Sequence, residues 1–111
     1  MALEKNKLTI VLDTNIYISA LLFGGIPAEI IDLAGKRKIN LAVSSPILLE
    51  LARILQVKFH FQRKTILDVI SEIKRISEVI FPKIRINEIK EDPPDNRILE
   101  CAVACQANYI V

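Results

Sequence analysis

The stretch Lys7–Asn15, Lys-Leu-Thr-Ile-Val-Leu-Asp-Thr-Asn, decides the fold that this sequence predicts. Four of the five residues in Leu8–Leu12 are apolar, which is typical of a short strand buried on both faces. Such strands form parallel sheets covered by helices, and ligands bind beyond the carboxyl ends of those strands. Asp13 stands at such an end, where an ionised carboxylate needs a cation or a hydrogen-bond donor. Asp13 is therefore the first candidate functional residue.

The composition predicts one small domain that spans residues 1–111. Hydrophobic residues make up 51% of the chain and the mean hydropathy is +0.35, so we expect a well-filled core and some apolar surface for a partner, such as a second copy. The net charge of +2 permits nucleic-acid binding without arguing for it.

The sequence also predicts a cytoplasmic protein without a membrane span. No apolar run reaches the roughly 18–20 residues that a membrane helix needs, and the amino terminus does not have the pattern of a secretory signal. Cys101 and Cys105 lie four residues apart in a predicted helix, a spacing that suits a disulfide badly. We expect two reduced thiols.

The pattern of apolar residues, caps and breakers predicts the element order β-α-α-β-α-α-β-α-β, an α/β domain with a parallel sheet. After the first strand, the expected elements are helices over 14–22 and from Pro27 to 36–38, a strand over 40–44, helices over 46–56 and 62–79, a strand over 81–86, a helix from Asp95 or Asn96 to 106, and a strand over 109–111.

Two further carboxylates do not fit an ordinary solvated helix face. Glu50 lies at the border of the apolar arc of its predicted helix, and Asp95 extrapolates to the middle of the apolar arc of the last helix, while Glu100 falls on the solvent side. Each has a simpler alternative: Glu50 could pair with Arg53, and Asp95 could be only a helix cap.

If Asp13, Glu50 and Asp95 converge, three carboxylates repel one another strongly and need a cation to stay ionised. Hard oxygen ligands without His or Cys favour Mg²⁺ or Mn²⁺ over zinc. A carboxylate-held Mg²⁺ that keeps several waters suits phosphodiester hydrolysis, because it can orient a water and stabilise charge on the phosphate.

Three segments resemble the PIN-domain family, in particular the toxin ribonucleases of bacterial and archaeal toxin–antitoxin pairs. They are Ile10–Asn15, Ser44–Leu51 and Asp92–Ala102, the last continuing into Ala107–Val111. The resemblance implies a three-layer α/β/α sandwich with a short parallel sheet, and a Mg²⁺- or Mn²⁺-dependent endoribonuclease that cleaves single-stranded RNA. It further implies a homodimer and inhibition by an antitoxin protein.

The resemblance assigns metal binding and catalysis to Asp13, Glu50 and Asp95. It assigns pocket-shaping roles to a second group and adds two further candidates, Asp92 as an additional acid and Arg97 as an RNA phosphate contact. The pocket-shaping residues are Thr14, Asn15 and Asn96.

The family pattern continues beyond the fourth strand into another short acidic segment and a fifth strand, whereas this sequence ends at Val111. We therefore expect a domain without that last strand and acid. The alternative reading is an inactive or assembly-dependent PIN-like module that binds nucleic acid or protein.

Overall fold

The computed structural model describes residues 3–4, 6–86 and 93–111. In these ranges the elements follow the predicted order. They are β1 (Thr9–Val11), α1 (Thr14–Phe23), α2 (Gly25–Gly35), β2 (Asn40–Ser44), α3 (Ser45–Val57), α4 (Arg63–Ile76), β3 (Glu78–Ile80), α5 (Pro93–Cys105) and β4 (Tyr109–Ile110).

The four strands form one parallel sheet in the order β3-β2-β1-β4. Val11 of β1 lies opposite Ala42 of β2 on one side and Ile110 of β4 on the other. Both central strands are buried along their whole length, whereas β3 is half-buried and β4 is exposed. The predicted α/β class with a parallel sheet is confirmed.

Successive strands are added on one side of β1 and then on the other. Helices α1 and α2 carry the chain from β1 to β2, and α3 and α4 carry it on to β3. Helix α5 then returns the chain to β4, on the opposite side of β1. Such a reversal leaves a crevice at the carboxyl ends of the two strands between which the order switches, here β1 and β4.

Apolar residues of the central strands and of α3 form the centre of the core. Val11, Leu41, Val43, Leu51 and Leu55 are fully buried. Complete burial of one such side chain contributes about 1.5–3 kcal/mol relative to leaving it in water. Helix α5 packs against β1, β2, β3 and α3, so the core fixes the body of the helix that carries Asp95.

The third strand does not lie where the sequence predicts it. Strand β3 is Glu78–Ile80 and pairs with Ala42–Ser44, whereas residues 81–86 form no helix or strand. Helix α4 correspondingly ends at Ile76, because Ser77 has extended backbone angles (φ −131°, ψ 165°). Pro82 cannot donate a hydrogen bond to a sheet ladder, which excludes it from continuous pairing. The apolar pair Val79 and Ile80 fits the helical period as well as a strand, which is why the prediction was wrong.

No single helix among the described residues is long and apolar enough to cross a membrane. Helices α1 and α2 reach that length and composition only when taken together, and they meet at a bend of 105°. Gly24 and Gly25 make this bend with φ values of 67° and 64°, which glycine adopts without a steric penalty.

Candidate functional site

Asp13 lies directly beyond the buried strand β1 and caps helix α1. Its backbone is extended (φ −62°, ψ 147°), and its Oδ1 accepts a hydrogen bond from the Asn15 N–H at 3.1 Å and one from the Thr14 hydroxyl at 3.2 Å. Its own N–H donates to the carbonyl of Val111 at 2.8 Å. The sheet and the start of α1 therefore fix the Asp13 backbone on both sides.

Asp95 lies in the first turn of α5 and lines the same pocket as Asp13. The pocket has a volume of about 210 Å³, and its other lining residues are Ile98, Leu99 and Ile110. The lining residues belong to α5, to β4 and to the Asp13 junction between β1 and α1, which meet where the strand order reverses. The tertiary structure thus brings together two carboxylates that are far apart in the sequence, within a mostly apolar pocket.

Glu50 does not line this pocket. It lies on α3, where Arg53 binds both of its carboxylate oxygens: Nε donates to Oε2 at 3.1 Å and Nη2 donates to Oε1 at 2.6 Å. These hydrogen bonds from Arg53 lower the pKa of Glu50 below its ordinary value. Pairing with Arg53 is the simpler alternative that the sequence left open for Glu50. Among the described residues, His, Cys, Asp and Glu side chains form no group of three or more that could hold a metal ion.

The three residues proposed to shape the pocket differ in exposure. Thr14 is buried beneath Asp13, Asn15 is exposed in the first turn of α1, and Asn96 is buried next to Asp95 in α5. The additional acid proposed at Asp92 lies outside the described residues.

Glu100 is buried, so the prediction that it faces solvent is wrong. Only 5% of its side chain is exposed. Its Oε2 accepts the Ile86 N–H at 2.7 Å, and its Oε1 lies 3.0 Å from Arg97 Nε, off the direction of an aligned hydrogen bond. The helical period of α5 identifies the face that meets the sheet, but it carries no information that Ile86 and Arg97 bind the Glu100 carboxylate. The Arg97–Glu100 spacing of three residues is the sequence signal that could have suggested this pair.

Arg97 takes part in the same buried network. Its side chain is 12% exposed, and its Nη2 donates to the Ile86 carbonyl at 2.8 Å. The phosphate contact predicted for Arg97 stays a prediction, and in this structure the guanidinium binds within the protein.

A larger cavity lies elsewhere, between α1, α2 and α4. It has a volume of about 370 Å³ and an almost wholly apolar lining that includes Tyr17, Ile31 and Ile73. Its two acids, Asp68 and Glu72, both belong to α4, and Glu72 pairs with Arg75. This cavity does not combine acids from separate elements, so the pocket of Asp13 and Asp95 is the better candidate for chemistry.

Comparison with known proteins identifies the family. The sequence profile of the PIN domain matches residues 9–111. The chain is also 33% identical over 113 aligned residues to the uncharacterized protein MJ1680 of Methanocaldococcus jannaschii, an alignment that covers 97% of this chain and 72% of the relative. The chain therefore belongs to the PIN-domain family. PIN domains are generally nucleases and generally use divalent metal ions, so the family suggests a nuclease.

Proposed function

We propose that this PIN domain is a Mg²⁺- or Mn²⁺-dependent endoribonuclease that hydrolyses phosphodiester bonds of single-stranded RNA. One observation carries the proposal: Asp13 and Asp95 line a single pocket at the carboxyl ends of β1 and β4. Binding at such a switch point is the general rule for parallel α/β sheets.

The chemistry of this donor set fits a divalent metal. Mg²⁺ typically binds one or two protein carboxylates, keeps several waters and takes further oxygens from a substrate phosphate. Asp13 and Asp95 supply two carboxylate ligands, and the other lining residues, Ile98, Leu99 and Ile110, are apolar. Two carboxylates that share such a pocket repel each other, and a cation relieves that repulsion.

We assign a separate role to each residue of the proposed site. Asp13 and Asp95 hold the metal, and Thr14 holds Asp13 through the hydrogen bond to Oδ1. Asn15 and Asn96 do not line the pocket themselves, and any part in shaping it acts through the neighbouring Asp13 and Asp95. When bound, the metal supplies a water of lowered pKa and stabilises the negative charge that develops on the phosphate. The dipole at the start of α1 adds a favourable potential for the RNA phosphate.

Glu50 is the third proposed ligand, and its side chain must leave Arg53 before it can bind the metal. Both of its carboxylate oxygens bind Arg53, so Glu50 reaches the metal only after that pair opens. A partly exposed Arg–carboxylate pair is worth about 0–1 kcal/mol, so opening it subtracts little from the free energy of metal binding.

Further proposals concern partners. The three PIN-like segments support a toxin of a toxin–antitoxin pair that acts in the cytoplasm, forms a homodimer and binds an antitoxin protein. A second candidate function, an inactive or assembly-dependent binding module, is favoured by one observation: the described acids do not form a three-member metal group.

Cleavage of single-stranded RNA separates the two functions. We expect cleavage with Mg²⁺ or Mn²⁺, its loss with EDTA, and its loss in Asp13→Asn. Asp68→Asn, which changes an exposed Asp on α4, is the matched control and should cleave as the wild type does. Cleavage that persists both in EDTA and in Asp13→Asn would exclude the proposed metal nuclease, and RNA binding without cleavage would favour the binding module.

A further inference from the structure

Two side chains of α5 bind both backbone polar groups of Ile86. Glu100 accepts the Ile86 N–H at 2.7 Å, and Arg97 donates to the Ile86 carbonyl at 2.8 Å. Because Arg97 and Glu100 also pair with each other, the three residues form one connected network. We call this network the Ile86 clamp.

The clamp replaces backbone pairing that Ile86 does not have. Ile86 is half-buried and belongs to no strand, so its N–H and carbonyl groups bind side chains instead of a neighbouring strand. Truncating Glu100 would leave the largely buried Arg97 charge without its partner, which is far more costly than the loss of a surface pair. Both backbone polar groups of Ile86 are thereby attached to α5, which fixes where Ile86 lies relative to this helix.

The clamp lies close to Asp95 along α5. Asp95 is in the first turn, where backbone N–H groups have no partners within the helix and the chain frays most easily. On the core side, the buried apolar residues Ile98 and Cys101 anchor the second and third turns of the helix, and the buried Asn96 lies next to Asp95 in the first turn. Arg97 and Glu100 add a second attachment, on a different face, between this part of α5 and Ile86.

We propose that Glu100, acting with Arg97 through the Ile86 clamp, is a positioning residue that holds Asp95 in place for metal binding. The inference rests on the proposed function, because it assumes that Asp95 is a metal ligand. Glu100 itself does not line the pocket of Asp13 and Asp95, so its effect is exerted through the backbone of α5.

Mn²⁺ binding, measured by titration calorimetry on folded protein without RNA, tests the proposal. Removing groups that orient metal ligands typically weakens metal binding 10- to 100-fold, so we expect Glu100→Gln to raise the Mn²⁺ Kd about tenfold. Gln retains an acceptor for the Ile86 N–H and keeps the volume, so this variant should fold. Arg97→Lys keeps the positive charge but not the planar fork that spans Glu100 and Ile86, and we expect a similar weakening. Glu72→Gln, which changes an exposed Glu paired with Arg75, should bind Mn²⁺ as the wild type does.

Measuring the effect of Glu100→Gln in a protein that already carries Asp95→Asn separates positioning of Asp95 from general stability. If Glu100 acts through Asp95, adding Glu100→Gln to Asp95→Asn should leave the already weakened Mn²⁺ Kd unchanged. An equal loss of Mn²⁺ affinity in both backgrounds, or wild-type affinity in Glu100→Gln, would overturn the positioning role. Failure of the proposed function looks different, because wild-type protein would then bind no Mn²⁺ or cleave RNA regardless of Asp13.

Discussion

Arg53 holds both carboxylate oxygens of Glu50, with its Nε 3.1 Å from Oε2 and its Nη2 2.6 Å from Oε1. The side chain of Glu50 is 20% exposed and that of Arg53 is 55% exposed, so the pair lies at the border between surface and interior. The same spacing recurs in α4, where Arg75 binds Glu72, but there the Glu side chain is 59% exposed. The Glu72–Arg75 pair is therefore a matched control for substitutions in the Glu50–Arg53 pair.

Arg53→Ala should strengthen divalent-metal binding. Metal binding by Glu50 requires its pair with Arg53 to open, and removing Arg53 eliminates that cost. Since a partly exposed pair contributes at most about 1 kcal/mol, we expect the Mn²⁺ Kd to fall by no more than about fivefold. Titration calorimetry measures the change, and Arg75→Ala should bind Mn²⁺ as the wild type does. An unchanged Mn²⁺ Kd in both Arg53→Ala and Glu50→Gln would remove Glu50 from the ligand set.

Substitutions of Asp13 should separate its capping role from its metal role. Asn caps a helix about as well as Asp, so Asp13→Asn in EDTA should keep the wild-type free energy of unfolding to within about 0.5 kcal/mol, while Asp13→Ala should lose about 1 kcal/mol. Urea denaturation measures both. Adding Mg²⁺ should stabilise the wild type and neither variant, since a ligand that binds only the folded state raises its stability. Equal stabilisation of all three proteins by Mg²⁺ would place the metal elsewhere.

Tyr17→Phe should stabilise the fold. Tyr17 is 1% exposed, and its hydroxyl has no hydrogen-bond partner among the described residues. An unsatisfied buried hydroxyl costs about 1–3 kcal/mol, so its removal should raise the free energy of unfolding by about 1 kcal/mol. A loss of stability instead would reveal a partner for the hydroxyl.

The same residue predicts a pH dependence. Burial raises the pKa of the Tyr17 phenol above its ordinary value of 10.0, with a smaller contribution from Cys101. The unfolded chain therefore loses this proton at a lower pH than the folded protein does. The free energy of unfolding should not depend on Tyr17 ionisation below about pH 10 and should decline as the pH rises above it. Tyr17→Phe should show a smaller loss of stability over that alkaline range in urea titrations at a series of pH values.

The two thiols should differ in their reactivity. Both are free, and burial raises the pKa of Cys101 to about 12 and also raises the pKa of Cys105. Because the thiolate is the reactive form, both should alkylate slowly at pH 8, with the half-buried Cys105 ahead of the fully buried Cys101. Mass spectrometry after iodoacetamide treatment, with and without urea, measures the order. Rapid native labelling of Cys101 would contradict its burial.

The elements that local patterns define were predicted well. The apolar run before Asp13 became the buried strand β1, and the helix predicted over 46–56 is α3, which extends one residue further at each end and is capped by the Ser44 hydroxyl. The boundary between α4 and β3 could not be resolved, because Val79 and Ile80 satisfy both periods and only pairing with β2 favours the strand.

Predictions about side-chain environment were less reliable. Glu100 is polar and falls outside the apolar arc of α5, so periodicity placed it in solvent. In the structure the Ile86 N–H and the Arg97 guanidinium bind its carboxylate, and neither contact is encoded in the helical period.

The sequence by itself determined the element order, the parallel sheet and the identity of Asp13, Glu50 and Asp95 as unusual acids, because each depends on a local pattern of apolar and polar residues. Only the tertiary structure decided which of these acids meet. The reversal of strand order around β1 brings α5 and β4 beside Asp13, which places Asp95 in its pocket, while the local pair with Arg53 holds both carboxylate oxygens of Glu50. Neither relationship follows from the local patterns, because the first depends on long-range strand pairing and the second on a competition between ionic contacts.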